Sequence, residues 1–93
     1  MDIVEAAGFR LVIGHGFGLA VNTMAEVQIA ATSANVLDAV ECVGPLKLAE
    51  DIGTEPIDQM SGLTKLPDAP GIGVEVDERR LEKFRIAGPL TAA

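Results

Sequence analysis

Cations, cysteines and aromatic rings are scarce in this 93-residue chain. Lysine and arginine number 7 against 14 acids, a formal net charge of −7. A nucleic-acid partner needs clustered cations to neutralise phosphates, so the acidic balance argues against that class. Nothing basic and amphipathic suits a membrane surface. No apolar run approaches the ~20 residues of a membrane span. The N-terminal MDIVEAAGFR carries two acids and no apolar core of a secretion signal. Cys42 is the single cysteine, so no intrachain disulfide and no paired-cysteine metal motif can form. Within Val40-Glu41-Cys42-Val43 it fits a buried small hydrophobe. A reducing, cytoplasmic setting is the expectation. The only aromatics are three phenylalanines, so a core must be built from Ala, Val, Ile and Leu.

Apolar residues still make up 48 % of the chain, and their pattern predicts an α/β order. Residues 2–7 suit the end of a helix, stopped by Gly8 in a left-handed conformation. Phe9 to Ile13 predicts a strand apolar on both faces, as in a parallel sheet. Leu19 to Ser33 predicts a helix. Its stripe is Leu19, Thr23, Val27 and Ala30, widened by Val21, Met24 and Ile29. Asn35 is expected as its left-handed terminator. Val36 to Val43 predicts a second buried strand, closed by Gly44-Pro45.

Beyond residue 45 prolines and glycines punctuate the chain. Leu46 to Ile52 suits a helical turn, Ile57 to Leu66 brief extended pieces, and Pro70 to Gly73 a tight turn. Val74 to Val76 suits extended chain. Asp77 then caps a helix running to about Arg85, without the acid or amide that would complete a capping box. The end, AGPLTAA, is expected to fray. Residues 1–45 thus form one expected unit and 46–93 a closing segment. Two strands and one helix cannot cover both faces of a parallel sheet, so the sequence reads as a slice of a larger α/β domain. A (β/α)₈ barrel needs ~250 residues.

The loop Gly14-His15-Gly16-Phe17-Gly18 between strand and helix admits two readings. A dinucleotide fingerprint requires a third glycine where Leu19 stands. Asp38 or Glu41 would have to hold the ribose. Alternatively the loop is the C-terminal end of a barrel strand, where catalytic groups gather. His15 then follows one strand and Glu41 lies late in the next, on the same side of the barrel. An imidazole can take or return a proton near neutral pH. A glycine-rich loop lets a substrate come close. The plainer alternatives are a surface histidine and a solvated edge glutamate.

Three blocks, in order, resemble one family. HGFGLAVNTMAEVQIAA (15–31) resembles the seventh barrel strand end and following helix of the enolase superfamily, in its mandelate racemase and muconate cycloisomerase branch. ECVGPLKLAEDI (41–52) is similar to its eighth strand and the turn beyond that strand. LPDAPGIGVEVD (66–77) resembles its closing segment, which returns toward a capping domain. The resemblance implies an isomerase or dehydratase that abstracts a proton α to a carboxylate, with Mg²⁺ stabilising the enediolate. It implies His15 as general base and Glu41 as the group that hydrogen-bonds a substrate carboxylate. Gly16 and Phe17 are the expected substrate-binding residues. The family's metal ligands belong to strands three to five, its lysine bases to strands two and six, and the aspartate that orients the histidine to strand six. None of these strands is expected here, and Asp38 and Asp51 do not match the ligand positions. Cycloisomerases rely on the lysines and lack this histidine, whereas the Glu41-Cys-Val-Gly-Pro block looks cycloisomerase-like. The resemblance also implies a small carboxylic-acid substrate and a homo-oligomeric parent. The rival expectation is a non-catalytic small α/β protein that acts by self-association or partner binding.

Overall fold

The computed structural model describes residues 1–88; of His15 the backbone alone is described, and residues 89–93 of the expected frayed end lie outside. Helix α1 (Asp2–Ala6) leads through Gly8, whose φ of 77° is the left-handed conformation that lets the chain leave the helix. Strand β1 (Gly14–His15) pairs in parallel with β2 (Glu41–Cys42), across the connecting helix α2 (Ala20–Ala31). A 3-10 turn (Gly44–Lys47) comes next, then a long irregular segment and helix α3 (Glu78–Phe84).

The regular ladder is shorter than expected: β1 lies one residue beyond the expected strand Phe9 to Ile13, inside the expected loop, and β2 keeps only Glu41 and Cys42 of the run Val36 to Val43. Upstream, Phe9 to Ile13 contributes a bridge of Leu11 to Val36 and an acceptor, Ile13 O, for Glu41 N–H at 2.9 Å. Leu11 to Gly14 is three steps, whereas the partners Val36 to Glu41 are five. The second strand therefore carries two extra residues and bulges around Asp38, which interrupts the ladder.

Helix α2 buries Ala20, Thr23, Met24 and Val27, a face at helical spacing. Ile29 is 50 % exposed, so the buried stripe is narrower than predicted. The helix ends at Ala31, with Thr32 as its C-cap. Asn35 is not left-handed. Its side chain donates to Phe9 O at 2.7 Å and ties the start of one strand to the other. The core is small: Met24, Val27 and Cys42, flanked by Ile13, Val40, Ile57 and Val74.

The closing segment is pinned to this unit by polar contacts. Asp51 Oδ2 accepts from Ala20 N–H at 2.8 Å and so caps α2 from a distance, while Oδ1 accepts from Ile52 N–H at 2.6 Å. Gln28 donates to Ile72 O at 2.8 Å. The helical turn expected over 46–52 forms instead at Gly44–Lys47, started by Pro45. Thr54 N–H donates to Glu75 O, and Gly53 bridges Val76 in antiparallel sense, so the expected extended piece is paired. Asp77 accepts from Arg79 N–H and Arg80 N–H and caps α3 as expected. The radius of gyration is 15.3 Å, against ~12 Å for a compact domain of this length.

Candidate active-site edge

β1 and β2 run parallel, so both end on one side, and the loops leaving them lie together. Gly14 pairs with Glu41 and His15 with Cys42. His15 and Glu41, the two expected catalytic residues, thus stand on neighbouring strands, offset by one position in the register. Gly14 has a specific use here. A Cβ on it would lie 3.2 Å from Glu41 Oε2, so the missing side chain leaves room for the carboxylate against the backbone. Glu41 is exposed, as an acid that meets a solute must be.

Gly16 and Phe17, the expected substrate-binding residues, come immediately after. Phe17 is 74 % exposed. The Lys47 ammonium lies 5.0 Å from its ring centroid, within cation–π range. A Cβ on Gly16 would be 3.4 Å from that ammonium. Lys47 thereby joins the two loops, and sequence reasoning missed it. The available signal was its place three residues beyond Gly44, just after a strand end.

The loops also meet through backbone. A Cβ on Gly44 would overlap the Gly18 carbonyl oxygen and sit 2.6 Å from Gly18 N. Beneath them Thr23 donates to Gly18 O at 3.3 Å from a fully buried position. Cys42 is 2 % exposed and faces the core, as expected. Burial pushes its thiol up to about 11, and the Glu26 carboxylate beside it adds by charge and by hydrogen bonding. Glu26 is a second residue the sequence reading missed. It lies three positions after buried Thr23, on the inward side of α2.

Among the described residues, no three His, Cys, Asp or Glu side chains converge as metal ligands. Asp51 is taken up by the cap of α2. No helix among them is long and apolar enough to cross a membrane.

The family model for the enolase C-terminal domain-like family matches residues 1–80. The chain belongs to the enolase C-terminal domain-like family. Muconate cycloisomerase 1-1 of Acinetobacter lwoffii is 37 % identical over 82 residues, 88 % of this chain and 22 % of that protein. Chloromuconate cycloisomerase of Cupriavidus pinatubonensis is 30 % identical over 83 residues, 89 % of this chain and 22 % of its own length. N-succinyl-L-Arg/Lys racemase of Bacillus cereus is 30 % identical over 82 residues, 88 % and 21 % respectively. The chain therefore spans about a fifth of the length of the curated relatives it matches. No solved structure matches it.

The family's architecture is the (β/α)₈ barrel, and this chain is a small α/β piece of that class. The relatives are isomerases by name. Membership implies a divalent metal in the whole enzymes. The described residues of this chain do not form a site that fits one.

Proposed function

We propose that the chain is the C-terminal slice of a mandelate racemase/muconate cycloisomerase-like enzyme, holding the last two barrel strands and the helix between them. Residues 1–45 form that βαβ portion. Residues 46–93 are the closing segment that packs on the barrel and a capping domain. The reaction of the parent is Mg²⁺-assisted removal of a proton α to a carboxylate, leading to racemisation, cycloisomerisation or dehydration of a small carboxylic or sugar acid. The parent acts in the cytoplasm as a homo-oligomer.

One observation carries this reading: the parallel register sets the Gly14–His15 and Glu41–Cys42 ends side by side. That is where a barrel keeps its catalytic groups. His15 serves as base or acid toward the α-proton. Glu41 hydrogen-bonds a substrate carboxylate oxygen, with Gly14 leaving its side chain room. Gly16 and Phe17 bound the substrate. The metal supplies charge stabilisation of the enediolate when the whole enzyme binds it, through ligands outside this chain.

The test is a graft. The matched segment of the Acinetobacter lwoffii cycloisomerase is replaced by residues 1–93. Muconate turnover by the graft is expected, with none by the pure chain. Glu41→Gln should lower kcat/KM about 100-fold, the scale of losing one aligned hydrogen-bonding group. His15→Asn should leave cycloisomerisation within a few-fold, because the host's lysines carry it. A soluble graft in which Glu41→Gln matches the unmutated form overturns the assignment.

The non-catalytic reading finds its support in exposed apolar side chains such as Phe9, 66 % exposed, and Ile3, 86 % exposed. It predicts concentration-dependent association of the pure chain and an inactive graft.

A further inference from the structure

The chain has 7 cations against 14 acids, and the places of those cations differ. Arg79, Arg80, Lys83 and Arg85 belong to α3 or its C-cap, where Arg80, Lys83 and Arg85 pair with Asp77, Glu50 and Glu82. Arg10 donates to Val36 O at 3.3 Å, near the start of the strands. Lys65 lines a cavity of the closing segment. Lys47 is the cation of the site-bearing loops. It is exposed, and among the described residues no carboxylate forms an ion pair with it. Its ammonium rests instead on the Phe17 ring, 5.0 Å from the centroid. A ring face engages one side of an ammonium, so N–H donors remain for a solute.

The base of this side chain is fixed. Lys47 ends the 3-10 turn that follows β2, and that turn starts at Gly44, which abuts the Gly18 backbone. Leu46 N–H donates to Val43 O at 3.1 Å and closes the turn. The neighbouring strand gives the ammonium its place. A Cβ on Gly14 would lie 3.2 Å from Glu41 Oε2, and a Cβ on Gly16 would lie 3.4 Å from Lys47 Nζ. Residues two apart along a strand present the same face, and Gly16 follows the last residue of β1. The acid and the ammonium therefore stand along one face of the strand end, over positions at most about 7 Å apart. Neither glycine puts a side chain on that face, so a small solute can lie against the backbone from one group to the other.

We infer that Lys47 is a specificity residue of the candidate site: its ammonium donates to a second carboxylate of the substrate, at the end remote from the carboxylate that Glu41 takes. The inference rests on the active-site reading above. A net charge of −7 repels a dianion, so a second carboxylate weakens binding unless a cation meets it. Lys47 is placed to meet it, and an acid with one carboxylate leaves the ammonium idle. A clasp between the two loops needs no charge, since an apolar side chain can pack on Phe17. The competing occupant is an acidic side chain elsewhere in the parent, which would neutralise Lys47 for every substrate alike.

The experiment uses the graft in the Acinetobacter lwoffii enzyme and calorimetric binding of three probes of one chain length: adipate, hexanoate and 6-aminohexanoate. Binding is read apart from turnover. Lys47→Gln should raise Kd for adipate about tenfold, the scale of one charge-assisted hydrogen bond, and leave hexanoate within about twofold. Lys47→Arg should keep the preference for adipate over hexanoate. Lys47→Glu should reverse the charge preference, so that 6-aminohexanoate binds more tightly than adipate. A clasp without a substrate contact, or an ion pair with an acid of the parent, would shift all three probes together, and that result overturns the inference. So does an adipate preference that no Lys47 substitution changes. A graft that turns over muconate and keeps its adipate preference without Lys47 removes the role of Lys47 and spares the active-site reading. A preference that follows Lys47 in a folded graft without turnover keeps the anion contact and removes the reaction. A graft that fails to fold overturns both.

Discussion

Replacing Gly44 by alanine tests how the two loops of the candidate site are held. The added Cβ would overlap Gly18 O and lie 2.6 Å from Gly18 N and 2.8 Å from Gly18 C. All three are backbone atoms, so no side chain can swing aside. The strand end carrying Glu41, or the loop after His15, must shift instead. Overpacking a side chain costs roughly 1–3 kcal/mol. A clash that only backbone can relieve belongs at the top of that range, about 3 kcal/mol. With a urea m-value of roughly 1 kcal/mol/M for a chain this small, the midpoint should fall by ~3 M, or the folded baseline should vanish. The control is Gly88→Ala, where nothing lies within 4 Å and φ is not positive. It should stay within about 0.5 kcal/mol. Urea melts of the three chains, followed by far-UV circular dichroism, measure both. Coincident midpoints for the two substitutions would refute the close approach of these loops.

Alkaline pH should destabilise the fold through Cys42. Its thiol is raised from 9.0 to about 11, so the contribution is intact below pH 9 and is lost as pH rises toward 11. Linkage bounds the loss at roughly 3 kcal/mol. Urea midpoints at pH 8 and 11 should diverge for the natural chain and much less for Cys42→Val; parallel behaviour would remove the thiol from the account. Asp51→Ala should cost about 1–2 kcal/mol, the scale of a lost helix cap, and hydrogen exchange should quicken at the Ala20 and Ile52 amides together. Asp77→Ala should cost about 1 kcal/mol and loosen the Arg79 and Arg80 amides of α3 alone, leaving those of α2 protected.

The order of elements was legible because it rests on local signals. Gly8 needs no partner to stop a helix, and Asp77 finds its acceptor role within three residues. The strands were legible as apolar runs but not in extent. Ladder length depends on register, and the two-residue excess between Val36 and Glu41 exists only relative to Leu11 and Gly14. Asn35 misled for the same reason: its side chain serves a carbonyl 26 residues away rather than its own turn. At the candidate site, His15 and Glu41 could be named from strand-end position. For Lys47 that position was only a weak signal and for Glu26 there was none, since each matters through a neighbour distant in sequence, Phe17 and Cys42.

What holds the site-bearing loops is more polar than apolar. Among the described residues the central apolar cluster has three buried members, Met24, Val27 and Cys42, and neither loop adds to it beyond Cys42. The loop after β1 is fixed at its far end by the start of α2, and that start is capped by Asp51 from the closing segment. The 3-10 turn after β2 touches the same loop through Gly44 and Lys47. Gln59, also from the closing segment, takes the last outward carbonyl of β2. Directional bonds fix positions to a few tenths of an ångström where a thin apolar layer would allow sliding. The segment after residue 45 therefore sets where Glu41 and His15 stand relative to each other, although it contributes neither. A substitution there, at Asp51 or Gln59, should reach the site through geometry, lowering kcat of the grafted enzyme more than it raises KM.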